Sequence, residues 1–331
     1  MKKFSIFTWS IIVVIFFPLV LGLFYFVGVP RFRDYIEYNT GDNAVWAGHE
    51  WVEEGKTFYE IKNFVDNLRK HQISNVFLHV GPILENGQIE QKSYVYSSYF
   101  LRQAKGINSN IKYQAWLGQI RGKLDLDDEN IRRNVANQCR VLAQFIGFDG
   151  IHFDIEPMSD DDSGFIKLLE ECKQNMSEEK VLSVALPDII PESFLWYTQN
   201  VLKFDNVNSE INYKNVAKYA DEIVVMLYDT KLRSDWLYKK FIVEEVSRIT
   251  SLLKNRKIYF GIPAYEKGSE NFDPKIENVK NGILGVIMGL DNARSNLDSF
   301  AGIAIYPYWE ISDDEWKTFN KLWLNKNDYV D

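Results

Sequence analysis

Short apolar runs alternate with helical patterns along most of the chain. Eight runs rich in β-branched and aromatic residues occur at positions 44–48, 75–80, 111–116, 149–156, 181–186, 222–228, 257–263 and 302–307. Between most of them, apolar residues recur at the three- and four-residue spacing of an amphipathic helix. Strands that alternate with helices eight times predict the α/β class and, within it, a parallel (β/α)8 barrel.

Four of the helical patterns define faces that we expect to pack against the strands. These faces are Phe58, Ile61, Phe64, Val65 and Leu68; Ile131, Val135, Leu142 and Phe145; Phe165, Leu168, Leu169 and Cys172; and Trp316, Phe319, Leu322 and Trp323. The residues between Tyr265 and Gly302 leave room for one connection and one helix, without an inserted domain. We therefore predict a single barrel domain over residues 44–325 and a short tail at 326–331.

The N-terminal segment has a different character. Residues 4–29 are almost continuously apolar, and no charge appears between Lys3 and Arg31. A membrane-spanning helix needs about 20 such residues, whereas the apolar part of a secretory signal has about 7–15. No small-residue cleavage pattern precedes Arg31. We predict a retained signal anchor over residues 1–30, which contacts the bilayer through residues 4–29, and a linker over 31–43. A cleaved signal peptide and a buried core helix are the alternatives.

This prediction places the barrel outside the cytoplasm on a single-pass anchor in the cell membrane, and the charge of the barrel narrows its partners. Without Lys2 and Lys3, 36 basic residues stand against 46 acidic ones, for a net charge of −10. Such an acidic domain is a poor binder of nucleic acid or of anionic surfaces, so a neutral or cationic ligand is expected. The two cysteines, Cys139 and Cys172, form a disulfide or remain two buried thiols. The four histidines are scattered and no C-x-x-C spacing occurs, so no metal site is predicted.

The stretch FDGIHFDIEP, residues 148–157, places acids inside an apolar strand. The two-residue period of a strand puts Gly150, His152, Asp154 and Glu156 on one face, which we expect to line the barrel interior. Crowded carboxyl groups shift one another's pKa apart, and the less solvated one stays protonated near neutral pH. Glu156, at the end of the strand, is the candidate general acid. A salt-bridged carboxylate stack is the alternative, but the motif contains no Lys or Arg.

Other strand ends carry aromatic and acidic residues. In parallel barrels the carboxyl ends of the strands form the active site. The candidate sugar contacts at these ends are Trp46, Trp116, Asp229, Tyr265, Tyr306 and Trp309. Aromatic faces stack on sugar rings and carboxylates accept hydroxyl hydrogen bonds, although aromatic side chains at strand ends are also ordinary barrel packing.

The acidic stretch resembles the D-G-x-D-x-D-x-E signature of family 18 glycoside hydrolases, which include chitinases and endo-β-N-acetylglucosaminidases. VVMLYD (224–229) is similar to the M-x-Y-D strand of that family, KIYFGIPAY (257–265) to its seventh strand and LSVALP (182–187) to its fifth. The resemblance extends over residues 44–323. It implies a cofactor-free glycosidase that cleaves β-linked N-acetylglucosamine-containing glycans, such as peptidoglycan, chitin-like polymers or glycoprotein glycans.

The resemblance also implies a role for each matching residue. Glu156 corresponds to the general acid, and Asp154 to the residue that orients the substrate's own 2-acetamido group as the nucleophile, in retaining, substrate-assisted catalysis. Tyr228 corresponds to the tyrosine that binds the acetamido carbonyl, and Asp229 to the neighbouring sugar-binding acid. Asp149 opens the motif and is expected to brace the loop.

Two positions depart from the family pattern. His152 replaces the middle aspartate, which in the family shares a proton with the following one; the histidine is either a proton partner or a buried, hydrogen-bonded residue without that role. On the eighth strand, Tyr306 occupies the position of the family's tryptophan, and Trp309 follows three residues later. A non-catalytic carbohydrate-binding barrel and a glycosidase without acetamido participation are the alternative functions.

Overall fold

The computed structural model describes residues 38–158, 162–189, 201 and 208–326. Eight parallel strands form a closed barrel in chain order, with β8 paired to β1. The strands are β1 Asn43–Ala47, β2 Ile73–Pro82, β3 Lys112–Ile120, β4 Gly150–Glu156, β5 Val181–Pro187, β6 Glu222–Met226, β7 Lys257–Pro263 and β8 Phe300–Tyr306. Each corresponds to one of the eight apolar runs, so the predicted parallel barrel is confirmed.

Helices connect successive strands on the outside of the barrel. The described helices are α1 Glu50–Glu53, α2 Phe58–Lys70, α3 Ser97–Ile107, α4 Glu129–Arg140, α5 Ser163–Asn175, α6 Glu210–Val216, α7 Asp235–Leu252, α8 Val279–Leu290 and α9 Asp313–Leu322. Short 3-10 turns lie at Gln91–Tyr94, Arg121–Lys123 and Leu297–Ser299. The segment between Tyr265 and Gly302 contains α8 and no further domain, as the sequence predicts.

Local sequence fixes where several helices begin. Thr57 and Ser312 each form a capping box with a glutamate three residues later, which satisfies backbone N–H groups at the start of α2 and α9. Asp162 caps α5 by accepting a hydrogen bond from the backbone N–H of Phe165. Asp160 and Asp161, which precede it, lie outside the described residues.

Two layers of apolar side chains make up the core. Outward-facing strand residues such as Ile151, Phe153 and Ile155 are fully buried under the helices. A second cluster fills the barrel interior and includes Trp46, Phe77, Trp116 and Tyr259. The alternation of the two layers along each strand is the two-residue period expected of a barrel. It determines which side chains of β4 reach the interior.

Two predicted helix-face positions are wrong. Phe58 is 51% exposed and Phe145 is 70% exposed. Phe58 is the first residue of α2, and the buried face of that helix begins at Ile61. Phe145 lies in a π-helical segment, Val141–Ile146, which continues α4. The wider turn of a π-helix changes the angular spacing of side chains, so a residue that a regular helix would bury turns outward.

The predicted anchor and most of the linker, residues 1–37, lie outside the described residues, as do residues 327–331 of the tail. Within the described ranges no helix combines the length and hydrophobicity needed to cross a membrane. Cys139 and Cys172 are both buried as free thiols, with their sulfur atoms 3.6 Å apart. Of the two states expected for the cysteines, a disulfide or two buried thiols, the structure has the two buried thiols.

Candidate active site

The acidic residues of β4 lie at the carboxyl end of the strand, inside the barrel mouth. Asp154 and Glu156 are half-buried, whereas His152, one step below, is fully buried. On the neighbouring strand, Trp116 pairs with His152, and Gly118 pairs with Asp154. Because residues two apart in a strand share a face, all three β4 side chains project into the same space.

Glu156 is surrounded by other carboxyl groups. Burial, together with the negative charges of Asp154, Asp188 and Asp229, raises the pKa of Glu156 to about 8. Burial makes the largest contribution. Among the described residues, the charged groups that act on Glu156 are all acids. A salt-bridged carboxylate stack would require a cation here and a lowered pKa. The geometry instead produces a carboxylic acid that keeps its proton at neutral pH.

Asp154 has a different environment from Glu156. Its Oδ2 atom accepts a hydrogen bond of 3.0 Å from the indole Nε1–H of Trp116. Burial raises the pKa of Asp154 to about 6, and the hydrogen bond from Trp116 opposes that rise. Between about pH 6 and about pH 8, Asp154 is therefore ionised while Glu156 is protonated. With one acid and one anion side by side, the first can donate a proton while the second stabilises a developing positive charge.

Both ring nitrogens of His152 form hydrogen bonds below the site. Its Nε2 lies 3.0 Å from Trp46 Nε1, and its Nδ1 lies 2.8 Å from Ser183 Oγ. A tryptophan N–H can only donate, so His152 Nε2 is the acceptor and Nδ1 carries the ring proton, which it donates to Ser183. Burial lowers the pKa of His152 to about 3, so the ring is neutral. Since neither nitrogen remains for Asp154, His152 corresponds to the buried, hydrogen-bonded alternative.

Aromatic rings form one wall of the site. Tyr228 and Tyr306 are stacked, with centroids 5.1 Å apart and an interplanar angle of 16°. Tyr265 contacts both rings edge-on, and Trp309 contacts Tyr306 at 5.8 Å. Trp309 is 47% exposed, whereas Tyr306 is only partly exposed. Burial raises the pKa of Tyr228 well above its ordinary range, with further contributions from Tyr265 and Asp154, so its phenol is a hydrogen-bond donor at neutral pH.

Asp229 is held in place by residues outside the β4 motif. It has a left-handed backbone with φ of 58°, a conformation that aspartate tolerates better than most residues. Tyr265 donates its hydroxyl proton to Asp229 Oδ1 at 3.1 Å. The next residue, Thr230, donates both its backbone N–H and its hydroxyl to the buried Glu277. The turn that presents Asp229 is therefore fixed on both sides.

Sequence reasoning missed Ser183 and Glu277. Ser183 occupies an inward position of β5 opposite His152, which the strand period signals once the register is known. Glu277 lies in the connection after β7, and no local pattern relates it to Thr230. Both residues act by holding other side chains or backbone, without facing the substrate space themselves.

The expected sugar contact at Trp46 is corrected by the structure. Trp46 is 1% exposed, packs on Phe77 in the barrel interior and donates to His152. Its large ring fills the space below the site, where a pyranose has no access. Trp116 is 8% exposed and presents its indole N–H to Asp154.

Asp149 lies at the opposite end of β4 from Glu156. It accepts hydrogen bonds from Lys105 Nζ at 2.7 Å and from the backbone N–H of Tyr113 at 2.8 Å. Those contacts join the entrances of β3 and β4. In the part of the chain that the structure describes, no group of three or more His, Cys, Asp or Glu side chains is arranged to hold a metal ion.

Comparisons with known proteins identify the fold and the family of the chain. No curated protein sequence matches the chain. Among solved structures, the spore cortex-lytic enzyme SleL of Bacillus cereus is 12% identical with a TM-score of 0.58, and the match covers 84% of this chain and 73% of SleL. A family 18 chitinase from Cycas revoluta, solved with allosamidin, is 13% identical with a TM-score of 0.59, covering 85% of this chain and 99% of that one.

A chitinase from Chromobacterium violaceum is 15% identical with a TM-score of 0.54, and the match covers 86% of this chain and 99% of the chitinase. At these identities the structural likeness establishes the barrel fold. The sequence profile of the glycosyl hydrolases family 18 matches residues 50–329, which is most of the chain. The protein is therefore a glycosidase that belongs to glycosyl hydrolase family 18.

Proposed function

We propose that this enzyme cleaves β-linked N-acetylglucosamine-containing glycans by retaining catalysis in which the substrate supplies the nucleophile. One observation carries the proposal: Asp154 and Glu156 are consecutive inward-facing residues at the carboxyl end of β4, and burial together with neighbouring acids raises the pKa of Glu156 to about 8. The acidic surroundings of Glu156 favour a neutral or cationic glycan. The structurally similar proteins support this substrate class, because their names refer to chitin and to spore cortex.

In the first step, Glu156 donates its proton to the glycosidic oxygen as the bond to the anomeric carbon breaks. The carbonyl oxygen of the 2-acetamido group forms the new bond to that carbon, which gives an oxazolinium ion. Asp154 stabilises the positive charge that develops on the acetamido nitrogen. Tyr228 donates a hydrogen bond to the acetamido carbonyl oxygen and so orients it for the attack.

In the second step, a water molecule replaces the acetamido oxygen at the anomeric carbon. Glu156, now ionised, accepts a proton from that water, and the amide is restored. The two inversions retain the β configuration, and Glu156 returns to its protonated form. The stacked Tyr228 and Tyr306 rings provide an apolar surface at the site, and Asp229 accepts hydrogen bonds from sugar hydroxyls.

Substrate pairs that differ only at C2 test this mechanism. An aryl β-chitobioside should be cleaved at least about 1000-fold faster than the aryl β-cellobioside with the same leaving group, because only the former has an intramolecular nucleophile. A thiazoline analogue of the cyclised intermediate should inhibit competitively. Equal cleavage of both substrates would contradict acetamido participation, and binding without turnover of either would contradict catalysis.

We also propose that residues 4–29 anchor the enzyme in the cell membrane with the barrel on the extracytoplasmic side. The proposal depends on the length of the uncharged segment, which exceeds that of the apolar part of a secretory signal. The full chain should remain with the membrane pellet after an alkaline carbonate wash, and a variant without residues 4–29 should be soluble. If the intact mass of the mature protein corresponds to a chain that starts near residue 30, the segment is removed.

A further inference from the structure

The family pattern that this chain resembles places an aspartate at position 152, and this chain has a histidine there. His152 is fully buried, and its ring is stacked on Phe77 with centroids 3.9 Å apart. It donates one hydrogen bond to Ser183 and accepts one from Trp46. The substituted residue therefore has no polar atom with which to hold Asp154. The orientation of Asp154 must be fixed by another group.

Trp116 supplies the hydrogen bond that orients Asp154. It extends from β3, and its Nε1 lies 3.0 Å from Asp154 Oδ2. The indole is held rigidly, because it is 8% exposed and makes edge contacts with His79 at 4.7 Å and Tyr306 at 6.3 Å. Gly118, the strand partner of Asp154, has no side chain to compete for the carboxylate.

The chemistry of this contact differs from that of a carboxyl pair. A second carboxyl group can share a proton with Asp154, and so it can bind either protonation state. An indole N–H can only donate, and a donor to a carboxylate favours the ionised form. Among the described residues, the ionisable groups whose pKa the charge of Asp154 raises are Glu156 on the same strand, Tyr228 just after β6 and Tyr306 at the end of β8. These are acids or neutral phenols, so none of them attracts the Asp154 charge as a cation would.

We propose that Trp116 is the positioning residue for Asp154, whose carboxylate it both orients and keeps ionised, in place of the carboxyl partner that position 152 lacks. The proposal rests on the glycosidase mechanism described above and assigns to Trp116 a task beyond that of a sugar platform. It also makes His152 a neutral support that fills the barrel below the site.

Trp116→Phe tests the proposal, because it keeps an aromatic face for the sugar and removes the N–H. Loss of one hydrogen bond to a charged group should lower kcat by about 10- to 100-fold, with a smaller change in KM. The pKa of Asp154 should rise without its donor. Since catalysis requires the ionised form, the acid limb of the kcat profile should move to higher pH.

Trp309→Phe is the matched control, since it makes the same change at an exposed tryptophan that also contacts Tyr306. It should leave the acid limb at its original pH, whatever its effect on KM. A Trp116→Phe enzyme with unchanged kcat and an unchanged acid limb would overturn the proposal. A Trp116→Phe enzyme in which only KM changes would also overturn the proposal, because that result is expected if Trp116 serves only as a stacking surface for the sugar.

A measurement on the unsubstituted protein keeps the proposal testable if Trp116→Phe does not fold. One indole N–H proton resonance should shift with pH at the midpoint of the acid limb, and this shift should be absent from Asp154→Asn. If no indole resonance titrates with Asp154, the proposal is wrong. The spectrum does not require turnover, so failure of the glycosidase mechanism and failure of the Trp116 assignment give separate results.

Discussion

Replacement of Glu156 by glutamine is expected to lower kcat by about 10²- to 10⁴-fold, the range of a general acid. Glutamine has nearly the same shape but no transferable proton, so the departing sugar oxygen leaves without protonation. Binding of a chitooligosaccharide, measured by calorimetry, should remain within a few-fold of the original. An aryl glycoside whose phenol is strongly acidic should be affected much less, because its leaving group needs no proton.

The pH profile provides a second readout of the same substitution. The pKa of Glu156 is raised to about 8, so the unsubstituted enzyme keeps its proton donor below that pH and loses activity as the pH rises through it. The basic limb should disappear in Glu156→Gln. Glu85→Gln makes the same change at an exposed residue after β2 and should leave kcat unchanged. A Glu156→Gln enzyme that retains more than a tenth of the original kcat would contradict the assigned acid.

Replacement of Asp154 by asparagine is expected to lower kcat by about 10²- to 10³-fold, comparable to the loss of one preorganised electrostatic group. Asparagine preserves the size of the side chain, and its carbonyl oxygen still accepts the hydrogen bond from Trp116. What is lost is the negative charge opposite the positive charge of the oxazolinium. The effect therefore measures charge stabilisation separately from position, and it should appear in kcat more than in KM.

The acid limb should respond to this substitution as well. Burial raises the pKa of Asp154 to about 6, and the ionised form is the active one, so activity is present above that pH and falls below it. Asp154→Asn should remove the acid limb. Asp149→Asn, at the other end of the same strand, should reduce thermal stability through its contacts with Lys105 and Tyr113 and leave kcat unchanged. If the two variants lower kcat equally, Asp154 has no specific catalytic role.

The sequence by itself determined the barrel and the position of the acids within it. The order of apolar runs and helical patterns is a local property, and a closed parallel barrel is the architecture in which eight such units bury both layers of side chains. The two-residue period of β4 then places Asp154 and Glu156 inside the mouth, whatever the neighbouring strands contribute. Local periodicity was misleading at Phe145, where a π-helical segment replaces the regular helix that the pattern assumes.

Only the tertiary structure decided what surrounds those acids. The partners of His152 come from β1 and β5, and the donor to Asp154 comes from β3, so none of these contacts has a signature in the residues near the motif. The same applies to Trp46, whose strand-end position suggested a sugar contact and whose ring is buried inside the barrel. Protonation states depend on burial and on charges brought together from distant strands. Sequence spacing fixes the direction of a side chain, but contacts across the barrel fix its charge.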